Sequence, residues 1–153
     1  MTRIPRELYQ FRSQAKGDVL QLQPEGDDLT KLYAVISGPK GTGYEGGKWK
    51  ISIQVPQAYP NAAPVMRFVT PVCHPNVHFT TGEICLDLLN TGTDGKWTPA
   101  YTLVTALEAI VQLLAAGAEP DSPLNVDIAK LLREGDYVAA EGLIKYYTNL
   151  YAK

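Results

Sequence analysis

Residues 71–101 carry no hydrophobic period of either kind, and Pro71, Pro75, Gly82, Gly92, Gly95 and Pro99 punctuate them too closely for a helix or a long strand. Proline removes a backbone donor and glycine loosens the chain, so this backbone has to find its hydrogen bonds outside a regular ladder. An irregular run of that length inside a compact domain is usually functional rather than connective. It also limits the architecture, because the regular elements before and after it must form layers that enclose it.

The elements before it read as one helix and a sheet. TRIPRELYQFRSQAKG places Ile4, Leu8, Phe11 and Ala15 at spacings of 4, 3 and 4, an amphipathic helix expected to end at Gly17. Its other face carries Arg3, Arg6, Arg12 and Lys16 against one acid, Glu7, and from the residues alone is solvated surface. A short run at Val19 to Leu22, then KLYAVISGP, GKWKISIQV and VMRFVTP, predict a four-stranded antiparallel meander, with alternation clearest in Trp49, Ile51, Ile53 and Val55. After the irregular run, Thr102 can cap a helix with Leu103, Leu107, Ile110 and Leu114 on one face, ending at Gly117 before Pro120. Asn125 can cap a shorter helix ending at Gly135, and Asp136 a last one with Ala140, Leu143, Tyr147 and Leu150 facing inward. Helix, sheet, long loop and three helices is an α+β order, expected to form one domain over residues 1–153.

Composition removes several classes of function. At 153 residues a core can be self-sufficient without staples. The 14 basic and 16 acidic residues leave a net charge of −2, which argues against nucleic acid as the main partner. Two cysteines are too few for a disulfide scaffold, and no N-terminal apolar region with a cleavage site is visible, so a reducing, cytoplasmic setting is expected. The most apolar window, residues 103–118, is broken by Thr105, Glu108 and Gln112, and direct membrane insertion is not expected.

One motif is misleading. Residues 41–46, Gly-Thr-Gly-Tyr-Glu-Gly, match GxGxxG, but the dinucleotide fingerprint needs a helix to start there, and Lys48 to Val55 reads as a strand. A kinase loop would need HRD and DFG elements, which are absent. The glycines are read as a hairpin that needs φ > 0.

The chemistry centres on Cys85. A free cysteine is ordinarily a small buried hydrophobe, yet here Thr80, Thr81, Gly82 and Glu83 lead into it on a polar turn that tends to bring a side chain to the surface. One thiol suffices for thioester exchange, in which one sulfur replaces another at little net free-energy cost. Glu83 and Asp87 flank it and disfavour the thiolate, the opposite of protease activation, and neither His74 nor His78 sits in a protease signature. Asn76 has two N–H donors on a neutral amide, which suits an oxyanion stabiliser or, equally, a brace for the loop. His74, followed by Pro75, reads as a hydrogen-bonded loop anchor. Cys73, His74, His78 and Cys85 have zinc-type donors but lack knuckle spacing, so no metal is expected and Cys73 is assigned to packing.

HPNVHFTTGEICLDLL, with Tyr59-Pro60 before it, Trp97-Thr98-Pro99-Ala100 after it and EPDSPLN at 119–125, resembles the ubiquitin-conjugating enzymes over nearly the whole chain. Within that family the likeness is to the peroxisomal branch, which loads ubiquitin onto import receptors. The resemblance implies that Cys85 carries ubiquitin received from the ubiquitin-activating enzyme and passes it on with a RING-type ligase. ATP is consumed upstream, so no cofactor is implied. It assigns the asparagine of His74-Pro75-Asn76 both loop organisation and transfer. Asp87 resembles an acidic residue that positions the attacking group, and Ser122 falls where relatives place Asp or Ser. Arg3 and Arg6 of the N-terminal helix, the loop at Pro60 and Asn61, and the loop at Pro99 and Ala100 are implied docking surfaces. Two departures stand out: Asn61, followed by Ala62 and Ala63, replaces the usual bulky apolar ligase anchor, and residues 90–96, NTGTDGK, make the segment longer than is common. The peroxisomal likeness further implies recruitment by a membrane-anchored peroxin to the organelle's cytosolic face. A conjugating enzyme for another ubiquitin-like modifier and a non-catalytic scaffold are the rival readings.

Overall fold

A computed structural model describes residues 3–14 and 17–153. Helix α1, Arg3–Ser13, buries Ile4, Leu8 and Phe11 as the spacing requires. It stops short of the expected Gly17, and Ala15 and Lys16 lie outside the described residues. At its end the Ser13 hydroxyl donates back to the carbonyls of Tyr9 and Gln10 at 3.1 and 3.2 Å.

Four antiparallel strands follow in the order β1-β2-β3-β4: β1 Val19–Glu25, β2 Asp28–Ser37, β3 Lys48–Gln54 and β4 Val65–Phe68. Register sets Leu32 against Ile53, Ala34 against Ile51 and Ile36 against Trp49. All six are buried, so one face of the central pair is a continuous apolar surface. Helix α2, Leu103–Ala116, lies over that face with Leu103, Leu107, Ile110 and Leu114 turned inward. Fully burying each such side chain is worth about 1.5–3 kcal/mol. Thr102 caps it by accepting the Thr105 N–H at 3.1 Å. Gly117 does not close it in the left-handed region, its φ being −96°; a Cβ there would lie 3.0 Å from Leu113 Cα, so glycine serves close approach instead.

Helix α3, Val126–Arg133, ends in paired bonds from Gly135 N–H to Leu132 O and Asp136 N–H to Leu131 O, a Schellman closure. Asn125 occupies its N-cap position but makes no side-chain cap bond. Helix α4, Tyr137–Tyr151, is capped by Asp136, whose carboxylate accepts the Ala139 N–H at 3.1 Å. The inward face of α4 departs from expectation at its end, where Leu150 is exposed and Thr148 is buried. The stripe drifts because the C-terminus of α4 is drawn back to the sheet, with the N–H of Lys48 donating to Ala152 O at 2.8 Å. Cys73, Ile128 and Ala140 form a smaller apolar cluster beneath α3 and α4.

The 38–47 loop leads directly into β3, so no helix N-terminus meets the GxGxxG glycines; Gly41 and Gly46 have φ of +81° and +88°. Among the described residues no helix is long and apolar enough to cross a membrane.

Candidate active site

The irregular segment is fastened by side chains bonding to backbone. Tyr44 Oη donates to Cys73 O at 2.6 Å and Trp49 Nε1 to Pro71 O at 3.0 Å, which pins the chain as it leaves β4. His74, 1% exposed, then uses both ring nitrogens: Nε2 lies 2.9 Å from Leu113 O and Nδ1 accepts the Asn76 N–H at 3.0 Å. That pairing requires the neutral ring with its proton on Nε2. Burial pushes the pKa down to about 4, against the opposing pull of the Leu113 carbonyl.

From Asn76 the chain makes a small hairpin. His78 N–H donates to Glu83 O at 2.9 Å and Cys85 N–H to Asn76 O at 2.8 Å, with a bridge between Val77 and Ile84. This register sets Asn76 opposite Cys85, which on an antiparallel pair puts the two side chains on one face. Gly82 is obligatory at the turn: φ is +76°, and a Cβ would sit 1.9 Å from Phe68 O. The hairpin is thereby pressed against the end of β4, where Phe68 N–H donates to Gly82 O at 3.0 Å. His78 closes the tip by accepting from the N–H groups of Thr80 and Thr81.

Cys85 emerges from this frame exposed, just before a single 3-10 turn at Asp87–Leu89. The two thiols are in opposite situations. Cys73 is 2% exposed, and burial, aided by Asp127, pushes its pKa up to about 12. Of the two thiols, only that of Cys85 is exposed.

Asn76 is the joint of the site. It is 1% exposed; Oδ1 accepts the Glu119 N–H at 2.7 Å, and Nδ2 donates to Glu119 O at 2.9 Å and to Ser122 O at 3.4 Å. Pro75 O accepts the N–H groups of Leu124 and Asn125 at 2.8 and 3.1 Å. Together these lash the 117–125 loop beside the Cys85 hairpin, so His74, Pro75, Asn76, Cys85 and Ser122 converge. Ser122 and Asp87 are exposed, and Asp87 O accepts the N–H groups of Asn90 and Lys96 at 3.0 and 2.9 Å, closing the 90–96 insert at its base. Thr91 Oγ1 accepts the Ala63 N–H at 2.8 Å and ties that insert to the chain before β4.

The residues assigned to docking gather elsewhere. Trp97 Nε1 donates to Pro60 O at 2.8 Å and joins the 60–61 loop to the 99–100 loop, with Asn61, Pro99 and Ala100 exposed. Arg6 is exposed, but Arg3 is not simply solvated surface: its guanidinium donates to Pro99 O at 2.7 Å and to Tyr101 O, and pairs with Glu7 at 3.0 Å. Glu7 itself, 4% exposed, escaped the sequence reading, as did Glu119. Among the described residues no three His, Cys, Asp or Glu side chains are grouped to hold a metal ion.

The profile of the family described as ubiquitin-conjugating enzyme matches residues 3–147. This chain belongs to that family. As a ubiquitin-conjugating enzyme it is a transferase, and its relatives match nearly end to end. The Dictyostelium discoideum ubiquitin-conjugating enzyme E2 pex4 is 42% identical over 97% of this chain and 97% of its own length. The Arabidopsis thaliana protein PEROXIN-4 is 45% identical over 87% of this chain and 82% of its own. The crystal structure of H. polymorpha Pex4p, in complex with the soluble domain of Pex22p, superposes with a TM-score of 0.90 at 35% identity, covering 99% of this chain and 97% of that one.

Proposed function

We propose that Cys85 Sγ carries ubiquitin. The Cys85 thiolate attacks the carbonyl of the ubiquitin thioester on the activating enzyme, a new S–C bond forms, and the activating enzyme's thiolate leaves and takes up a proton. In the second step an acceptor nucleophile repeats the attack and Cys85 regains its thiol. The observation that carries this reading is the contrast between the cysteines, one exposed on a rigid hairpin and the other sealed in the core. Asn76 is assigned two parts: it holds the 117–125 loop, and the Nδ2 proton directed at Ser122 O across 3.4 Å, the weakest of its bonds, is the one least costly to redirect to a developing oxyanion. Asp87 is assigned to positioning the acceptor at the rim of the site.

The finer role is receptor modification with a RING-type ligase at the cytosolic face of the peroxisome. The names of the Dictyostelium and Arabidopsis relatives support it, and the Pex22p soluble domain bound to H. polymorpha Pex4p supports recruitment by a membrane-anchored peroxin. Ser122 cannot act as a carboxylate base, which suits a cysteine acceptor, whose thiol loses its proton more readily than an ammonium does.

Incubation with activating enzyme, ubiquitin and ATP, read on a non-reducing gel, tests the carrier role. A reductant-sensitive adduct is expected for the wild type and a reductant-resistant oxyester for Cys85→Ser. A folded wild type that stays unloaded, or that loads only with another modifier's activating enzyme, would overturn it. Discharge to free cysteine and to free lysine tests the acceptor, and a strong preference for lysine would count against the receptor-cysteine reading. Binding to the soluble domain of a Pex22-type peroxin tests recruitment.

A further inference from the structure

Glu7 is a buried carboxylate on a helix of exposed or half-exposed arginines, and the thioester chemistry does not use it. Its Oε2 accepts Tyr59 Oη at 2.6 Å and Arg3 Nε at 3.0 Å, while Oε1 accepts the N–H of Leu103, the first residue of α2, at 2.7 Å. Arg3 lies 5.5 Å over the Tyr59 ring and sends its remaining donors to Pro99 O and Tyr101 O. The Trp97 bond to Pro60 O completes a closed circuit of α1, the Tyr59–Pro60 loop and the 97–103 segment. The circuit ends on backbone atoms, the carbonyls of Pro60, Pro99 and Tyr101. It therefore fixes the path of two loops whose outward residues, Asn61, Pro99 and Ala100, are exposed.

A buried charge is weak support for stability, since a well-packed apolar replacement is often neutral or better. What this one supplies is geometry: three segments distant in sequence meet at a single carboxylate, and losing its charge or its Tyr59 bond would leave the Trp97–Pro60 bond as the direct tie between the loops.

We propose that Glu7 is a positioning residue for ligase engagement. With Arg3 and Tyr59 it sets the separation of the 60–61 and 99–100 loops, and so governs how well a RING-type ligase accelerates discharge without touching the chemistry at Cys85. This rests on the reading above that those loops receive such a ligase.

The probe is an isolated RING domain chosen because it stimulates discharge from the wild-type enzyme. Glu7→Gln and Tyr59→Phe keep shape while removing the charge or one hydroxyl. Both are expected to discharge ubiquitin to free cysteine within about twofold of wild type when no RING domain is present. The RING concentration for half-maximal stimulation is expected to rise about 3–10-fold, the scale of one or two lost buried hydrogen bonds. The double variant should show less than the product of the two effects, because both act through the same loops. Ile128→Val, in the cluster under α3 and α4, controls for stability loss alone. A half-maximal concentration that moves no further than in that control, or ligase-free discharge that falls by the same factor, would overturn the proposal. If no RING domain stimulates the wild type, the ligase reading itself has failed and this inference falls with it.

Discussion

Asn76→Ala separates bracing from catalysis because the structure prices the two differently. Truncation removes the 2.7 and 2.9 Å bonds to Glu119 and the weak 3.4 Å one to Ser122. Two sound bonds at about 0.5–1.5 kcal/mol each come to ~2 kcal/mol, and the higher cost of unpaired buried groups does not apply in full because Glu119 is exposed and water can replace the side chain. In a domain of this size 1 kcal/mol moves Tm by about 2–4 °C, so a fall of ~4–8 °C is expected. Total stability of ~5–15 kcal/mol leaves the variant folded at assay temperature. Loading should survive, since Cys85 is exposed without help from the amide. Single-turnover discharge of the preformed thioester, followed on non-reducing gels well below both midpoints, should slow by about 10²–10³ if the Ser122-directed proton serves the oxyanion. Discharge within twofold of wild type, alongside the expected Tm loss, would refute the oxyanion role and leave the brace. An unchanged Tm would refute the brace.

Gly82→Ala should cost several kcal/mol and cut loading sharply, because strain at φ +76° adds to a clash with Phe68 O, whereas Gly92→Ala, at φ +100° with open space around it, should cost only about 1–2 kcal/mol; thermal melts and loading assays compare them. His74, with a folded pKa of about 4 against 6.5 unfolded, takes up its proton more readily in the unfolded chain, so its contribution is complete above pH 6.5 and is lost as pH falls toward 4. The slope in that window approaches ~1.4 kcal/mol per pH unit, and urea titrations should find it reduced in His74→Gln; an equal slope in the variant would refute the assignment. Brief alkylation with N-ethylmaleimide at neutral pH should give one adduct, on Cys85, because Cys73 is sealed and its thiol is pushed up to about 12; mass spectrometry showing comparable labelling of Cys73 would refute this.

The regular elements were legible where one physical signal sufficed. Alternation from Trp49 to Val55 marked β3, and Thr102 with the 3.6-residue stripe of α2 marked both its start and its buried face. Errors arose where the deciding contact was remote. The C-terminus of α4 is tied to the sheet by the Lys48 N–H to Ala152 O bond, and its last turn leaves the stripe that included Leu150. Glu7 is the larger omission. Among four basic residues on an amphipathic helix a lone acid reads as solvated, and its partners Tyr59 and Leu103 lie 52 and 96 positions away. The polar turn before Cys85 made its exposure legible, but nothing in the motif's spacing could show that Asn76 reaches 43 residues downstream to Glu119.

These long reaches share a physical cause. A ladder satisfies peptide groups with neighbouring peptide groups, but residues 71–101 have almost no ladder, so buried side chains must do it. Glu7, His74 and Asn76 are each at most 4% exposed, and each spends side-chain atoms on backbone groups of segments that would otherwise have no fixed relation. Among the described residues Cys85 joins the frame through its N–H, donated to Asn76 O, and its sulfur makes no hydrogen bond to it. Attaching a protein to that sulfur therefore breaks none of these bonds. For the same reason Cys85→Ser should leave the hairpin intact, while Gly82→Ala should displace it against Phe68 O.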